Sequence, residues 1–71
     1  MPQLLLNQLG SRIREIRKTQ KLTLDDLADK CNFEKGNLSR IETGRTNLTM
    51  RSLLKISQAL DVPIVDLFAN K

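Results

Sequence analysis

At 71 residues, 39% hydrophobic and 28% charged, the chain has room for one small domain and is too apolar for a disordered tail. Trp and Tyr are absent and Phe occurs twice, so the core has to be aliphatic, which suits packed helices better than a β-sandwich. A net charge of +4 and a pI near 9.7 favour an anionic partner, nucleic acid ahead of a membrane surface, while the lack of His and the single Cys exclude a disulfide framework and a Cys/His metal cluster.

The segment from Met1 to Leu6 is apolar and either begins the first helix or forms an arm. Leu9, Ile13 and Ile16 then make an amphipathic stripe at helical spacing. Arg12, Arg14, Arg17, Lys18 and Lys21 crowd the same stretch, where basic charge suits the negative end of a helix. The pattern predicts helix 1 over residues 4–20, with Gly10 a weak point costing about 1 kcal/mol relative to Ala. Lys21 and Leu22 link it to Thr23, a good N-cap, from which Asp26 is placed to reach back as an acidic capping box. Leu27, Ala28 and Cys31 share the buried face of helix 2, and Asn32, tolerant of left-handed backbone, marks the turn. Helix 3 is expected to start near Glu34, to bury Leu38 and Ile41, and to stop at Gly44. The Glu34 side chain either caps this helix, the favoured role, or is left to accept from a cytosine amino group.

Arg45, Thr46 and Asn47 form a polar loop with Leu48 as its apolar anchor, and Thr49 caps the next helix. Helix 4 is predicted from Met50 to Leu60, with Leu53, Ile56 and Leu60 inward and Leu54 and Ala59 flanking. Asp61 and Val62 break it. Pro63 is suited to the first position of a last helix, whose apolar face is Ile64, Leu67 and Phe68. Residues 69–71 read as a frayed tail.

These elements amount to an all-α domain of five short helices over residues 1–71, with helices 2 and 3 crossing through a tight turn as a helix-turn-helix. No enzyme is expected. The chain lacks His, a Gly-rich phosphate loop and metal-ligand spacing, and Asp25, Asp26 and Asp29 serve the dipole at a helix start. No cofactor, metal or small-molecule ligand is expected. Cys31, on a buried face, reads as a small core residue in a protein of a reducing cytosol. Without a basic-then-apolar leader or a long apolar run, neither a signal peptide nor a membrane span is expected, and the location is cytoplasmic.

Four segments then fall into a recognisable order: Arg-Glu-Ile-Arg at 14–17, Leu-Thr-Leu-Asp-Asp-Leu-Ala at 22–28, Leu-Ser-Arg-Ile-Glu-Thr-Gly at 38–44 and Leu-Leu-Lys-Ile-Ser-Gln-Ala-Leu at 53–60. Together they resemble the Cro/C1-like, or Xre-type, helix-turn-helix family from about Leu9 to Phe68. Asn-Leu-Thr at 47–49 leading into helix 4 is also similar to the controller proteins of restriction–modification systems. The resemblance implies a lambda-repressor-like domain that dimerises and binds an operator with its third helix in the major groove. It further implies that Arg17 and Glu42 form a structural ion pair between helices 1 and 3. Three positions depart from the pattern. Leu24 replaces a phosphate-holding or buttressing Gln, Asn32 replaces the turn Gly, and Gly36 stands where the family often has a base-reading side chain.

With helix 3 in the groove, Lys35 and Arg40 are candidates for guanine O6 and N7, and Asn37 for adenine N6 and N7. Gly36, on the same outward face, either lets the backbone approach DNA closely or gives a neighbour room. Backbone contacts are assigned to Thr23 with the free N–H groups of helix 2, and to Arg45, Thr46 and Asn47. Ser39 either packs near Ala28 or reaches a phosphate. Ile64, Val65, Leu67 and Phe68 are the candidate two-fold dimer surface, which would match a roughly palindromic site. The function expected is therefore sequence-specific transcriptional regulation on double-stranded DNA as a homodimer. The alternative is an antitoxin-like protein-interaction module that also binds DNA.

Overall fold

The apolar stripes form four α-helices and one 3-10 turn in the computed structural model, which describes residues 2–68. They are α1 (Gln3–Thr19), α2 (Leu24–Cys31), α3 (Lys35–Glu42), α4 (Met50–Leu60) and a 3-10 turn over Ile64–Phe68. Among the described residues there is no strand, and no helix is long and apolar enough to cross a membrane. α1 lies against α3, α4 and the 3-10 turn, and α2 against α3 and α4. Each element sends at least one side chain to the centre: Leu9 and Ile13, Leu27, Leu38, then Leu53, Ile56 and Leu60, and finally Leu67, all essentially inaccessible. Leu48 anchors the loop before α4 from the same core.

All four helices end by one device. A residue just past the last turn takes left-handed backbone, with φ of 60° at Lys21, 59° at Asn32, 74° at Gly44 and 57° at Asp61. The next residue then donates its N–H to a carbonyl five positions back: Leu22 to Arg17 at 3.1 Å, Phe33 to Ala28 at 2.9 Å, Arg45 to Arg40 at 2.8 Å and Val62 to Ser57 at 3.0 Å. These are Schellman stops, which satisfy carbonyls the helix leaves open. Leu22, Phe33 and Val62 follow the left-handed residue and pack partly buried against the core, so the apolar position after the stop helps fix where the chain turns. Three of the four left-handed residues are not glycine, and each of those costs backbone energy that the packing offsets.

Two expectations about the fold are corrected. The last helix is a five-residue 3-10 turn beginning after Pro63, with Asp66 N–H donating to the Pro63 carbonyl at 2.9 Å. Three residues per turn stack Ile64 over Leu67 on the inward face and turn Val65 and Phe68 outward, at 65% and 41% exposure. Phe68 is therefore not part of the inward face. The frayed tail expected at 69–71 lies outside the described residues.

Gly10 is the second correction. It is no weak point but the place where α1 crosses the end of α3. A Cβ there would sit 2.4 Å from the Ile41 carbonyl oxygen and 2.6 Å from that of Glu42. Only glycine lets the two backbones approach this closely.

Candidate nucleic-acid interface

α3 is held from behind by an ion pair. Arg17 Nε and Nη2 donate to the two carboxylate oxygens of Glu42 at 2.7 and 3.1 Å, and Arg17 Nη1 donates to the Leu22 carbonyl at 2.8 Å. Both residues are buried. The planar guanidinium thus joins α1, the stop after α1 and the last turn of α3, in the fork geometry that Lys cannot reproduce. Three further contacts fix the ends of this frame. Gln3 Nε2 donates to the Gly44 carbonyl at 2.7 Å, Gln20 Nε2 to the Leu60 carbonyl at 2.6 Å, and Arg12 Nε to the Asp66 carbonyl at 3.0 Å. None of these three is visible in the sequence, because long polar side chains at helix positions carry no pattern that separates a tertiary bond from a solvated face. For Arg12, its place among five basic residues pointed only to the helix dipole.

With Leu38, Ile41 and Glu42 turned inward, α3 presents Lys35, Gly36, Ser39 and Arg40 to solvent and leaves Asn37 half-buried. Arg40 and Asn37 make no side-chain hydrogen bond among the described residues. Lys35 Nζ lies 3.5 Å from Asp25 Oδ2, an exposed pair worth little in itself, but it places the tip of α3 beside the start of α2. Ser39 is exposed. Glu34 occupies the N-cap position of α3 by its backbone, with its side chain making no cap hydrogen bond. Its carbonyl accepts from Leu38 N–H at 3.0 Å. The expected side-chain cap is therefore not formed, since the longer Glu side chain is a poor substitute for Ser, Thr or Asp at that position.

At the start of α2 the capping box is complete. Asp26 N–H donates to Thr23 Oγ1 at 3.0 Å, and Thr23 N–H donates to Asp26 Oδ2 at 2.9 Å. Donation by the Thr23 backbone, aided by the Thr23 hydroxyl region, holds the Asp26 carboxyl below its ordinary range. This modifies the anion site expected here. The box occupies two of the donors and turns the Thr23 hydroxyl toward the Asp26 carboxylate, with Asp25 beside it, so a phosphate is left only the amides of Leu24 and Asp25. Leu24 itself is partly buried against the core, which gives the departure from Gln a packing role. At the other end of α3, Arg45 and Asn47 are exposed and Thr46 is half-buried. Thr49 caps α4 by accepting from Ser52 N–H at 3.1 Å.

The remaining chemistry is sparse. Among the described residues no three His, Cys, Asp or Glu side chains are placed to hold a metal ion. Cys31 is buried with Sγ 4.0 Å from the Lys55 carbonyl, and burial pushes its thiol up, away from reactivity. It lines an open groove of about 440 Å³ between α2 and α4, together with Lys30, Asn32, Lys55, Gln58 and Ala59. Within the dimer candidates, Leu67 is 1% exposed and committed to the core, and Ile64 is packed against it. Val65 and Phe68 are the two side chains left to face another molecule.

Comparison with known proteins agrees with this geometry. A family model described as helix-turn-helix matches residues 13–67. The HTH-type transcriptional regulator SinR of Bacillus subtilis (strain 168) is 38% identical over 64 residues, covering 89% of this chain and 58% of its own. The chain thus spans a little over half the length of that relative. Among solved structures, the restriction-modification controller protein C.AhdI from Aeromonas hydrophila superposes with a TM-score of 0.87 at 30% identity, over 89% of this chain and 96% of its own. A second controller, C.Esp1396I, is 38% identical with a TM-score of 0.83, over 90% of this chain and 82% of its own.

Proposed function

The chain belongs to the helix-turn-helix family, and from that premise we propose that it is a sequence-specific DNA-binding transcriptional regulator acting in the cytoplasm. The observation that carries the reading is the division of α3 into two sides. One side is fixed to α1 by the buried Arg17–Glu42 pair. The other offers Lys35, Asn37 and Arg40 free of commitments to the core. A helix held rigidly from behind with donors in front suits readout of base edges in the major groove, where each good bidentate contact discriminates by about 1–3 kcal/mol. Thr23, Ser39, Arg45, Thr46 and Asn47 flank it as contacts to the phosphate backbone, which set register and not sequence.

The regulator acts as a homodimer through Val65 and Phe68, on a roughly palindromic operator with half-sites one helical turn apart. The similarity to two controller proteins supports the regulator reading, and control by protein concentration, through dimerisation and cooperative binding, is the mode of action proposed with it. The deciding experiment is selection of bound sequences from a random duplex library, repeated with Arg40→Ala, alongside sedimentation of the free protein. A short palindrome that relaxes at one position in the variant is the expected result. Absence of any enriched sequence would overturn the regulator reading. It would favour a protein-interaction module instead.

A further inference from the structure

Gly36 has no explanation inside the molecule. It is the second residue of α3, exposed, with ordinary backbone, and a Cβ built on it meets nothing within 4 Å. The other two glycines differ in this respect. Gly10 lies under the Ile41 and Glu42 carbonyls, and Gly44 takes left-handed backbone beside Asn7. Glycine within a helix lowers its stability relative to alanine. At position 36 the chain accepts that penalty where no contact, turn or packing demand of its own calls for it. A demand made by something that approaches this surface from outside would account for it.

Resting on the reading of α3 as a recognition helix, we infer that Gly36 is a specificity-determining residue. It is a notch between Lys35, Asn37 and Arg40 that brings the helix backbone against a base step with room for a hydrogen and not for a methyl group. The neighbouring side chains supply polar groups for nitrogen and oxygen edges. The notch supplies none, and its surface is the bare Cα. In the major groove the one apolar group that projects from a base pair is the C5-methyl of thymine. The complement of the notch is therefore a thymine methyl.

Gly36→Ala separates this inference from its premise, because stability and recognition should move in opposite directions. The melting temperature of the variant rises by about 2–6 °C, as an unstrained helical alanine requires. On the duplex selected by the wild type its affinity falls roughly tenfold or more, while on random duplex it stays within about twofold. Replacing one particular thymine by deoxyuridine removes the methyl from the DNA side. That duplex regains affinity for the variant and loses it for the wild type. If the wild type selects no sequence, the regulator reading fails and the inference falls with it. If a sequence is selected but Gly36→Ala binds it as well as the wild type, or weakens random duplex equally, the notch is refuted and the regulator reading stands. Failure of every thymine-to-deoxyuridine exchange to restore binding refutes the thymine complement.

Discussion

Substituting alanine for Gly10 sets two effects of opposite sign against each other. Helix propensity alone favours the variant by about 1 kcal/mol. Against it, the new methyl would lie 2.4, 2.6 and 2.8 Å from backbone atoms of Ile41 and Glu42. Those atoms belong to the last turn of α3 and cannot rotate away as a side-chain tip can. Ordinary contact requires α1 and α3 to part by about 1 Å, which loosens the Leu9 and Ile13 packing and stretches an Arg17–Glu42 bond now at 2.7 Å. Overpacking of this kind costs about 1–3 kcal/mol and occasionally more, and rigid backbone on the other side places the case at the upper end. The net expectation is a loss of about 2 kcal/mol, or a fall in melting temperature of about 8–16 °C for a chain this short. Urea unfolding followed by far-UV circular dichroism, which needs no Trp, measures both midpoint and slope. A Gly10→Ala protein as stable as the wild type would refute the close crossing of α1 and α3.

Glu42→Ala, which leaves the Arg17 guanidinium buried and unpaired, should cost about 3–5 kcal/mol, whereas Arg17→Met with Glu42→Leu should recover most of it; a double-mutant cycle on denaturation midpoints checks this. Lys21→Gly relieves a left-handed backbone with φ of 60° and should raise stability by about 0.5–1 kcal/mol, read in the same assay. For pH, the carboxyl of Asp26 titrates below its ordinary 3.8 in the folded chain. The cap's contribution is complete above that value and disappears as pH falls through the lower, folded one. Asp26→Asn should remove this part of the acid sensitivity in a pH series of melts. Under the regulator reading, log K falls steeply with log salt, and Arg45→Ala reduces the slope by about 1; an unchanged slope would remove Arg45 from the phosphate contacts.

Capping chemistry made α2 and α4 legible from sequence, because Thr23, Asp26 and Thr49 act within one turn of themselves. The same locality exposed the stops at Asn32 and Gly44. Asp61 was legible too, because Asp tolerates left-handed backbone; Lys21 was harder, since Lys does not announce it and only the apolar Leu22 after it gives the stop away. The 3-10 turn defeated periodicity for a related reason. Over five residues, Ile64, Leu67 and Phe68 fit a helical face, and a period of three is distinguishable only once the core selects which side chains enter it. Gly10 shows a different limit: its value depends on a carbonyl more than thirty residues away, and no local rule carries that. On the candidate interface, the inward positions Leu38 and Ile41 fixed the outward ones by subtraction. The state of the anion site at Thr23 depended on hydrogen bonds that the sequence suggested but did not weigh against phosphate binding.

The outer side of α3 is nearly without obligations to the fold. Lys35 has one weak exposed partner, a side chain at Gly36 would meet nothing, and Ser39 and Arg40 are exposed to solvent. Exposed substitutions away from caps and buried groups usually change stability by less than about 0.5 kcal/mol. What α3 displays is thus insulated from what holds it in place, so lineages can rewrite these few positions one at a time without eroding the scaffold. A domain near the lower limit of size for independent folding has little stability to lose, and this insulation is what allows it to diversify.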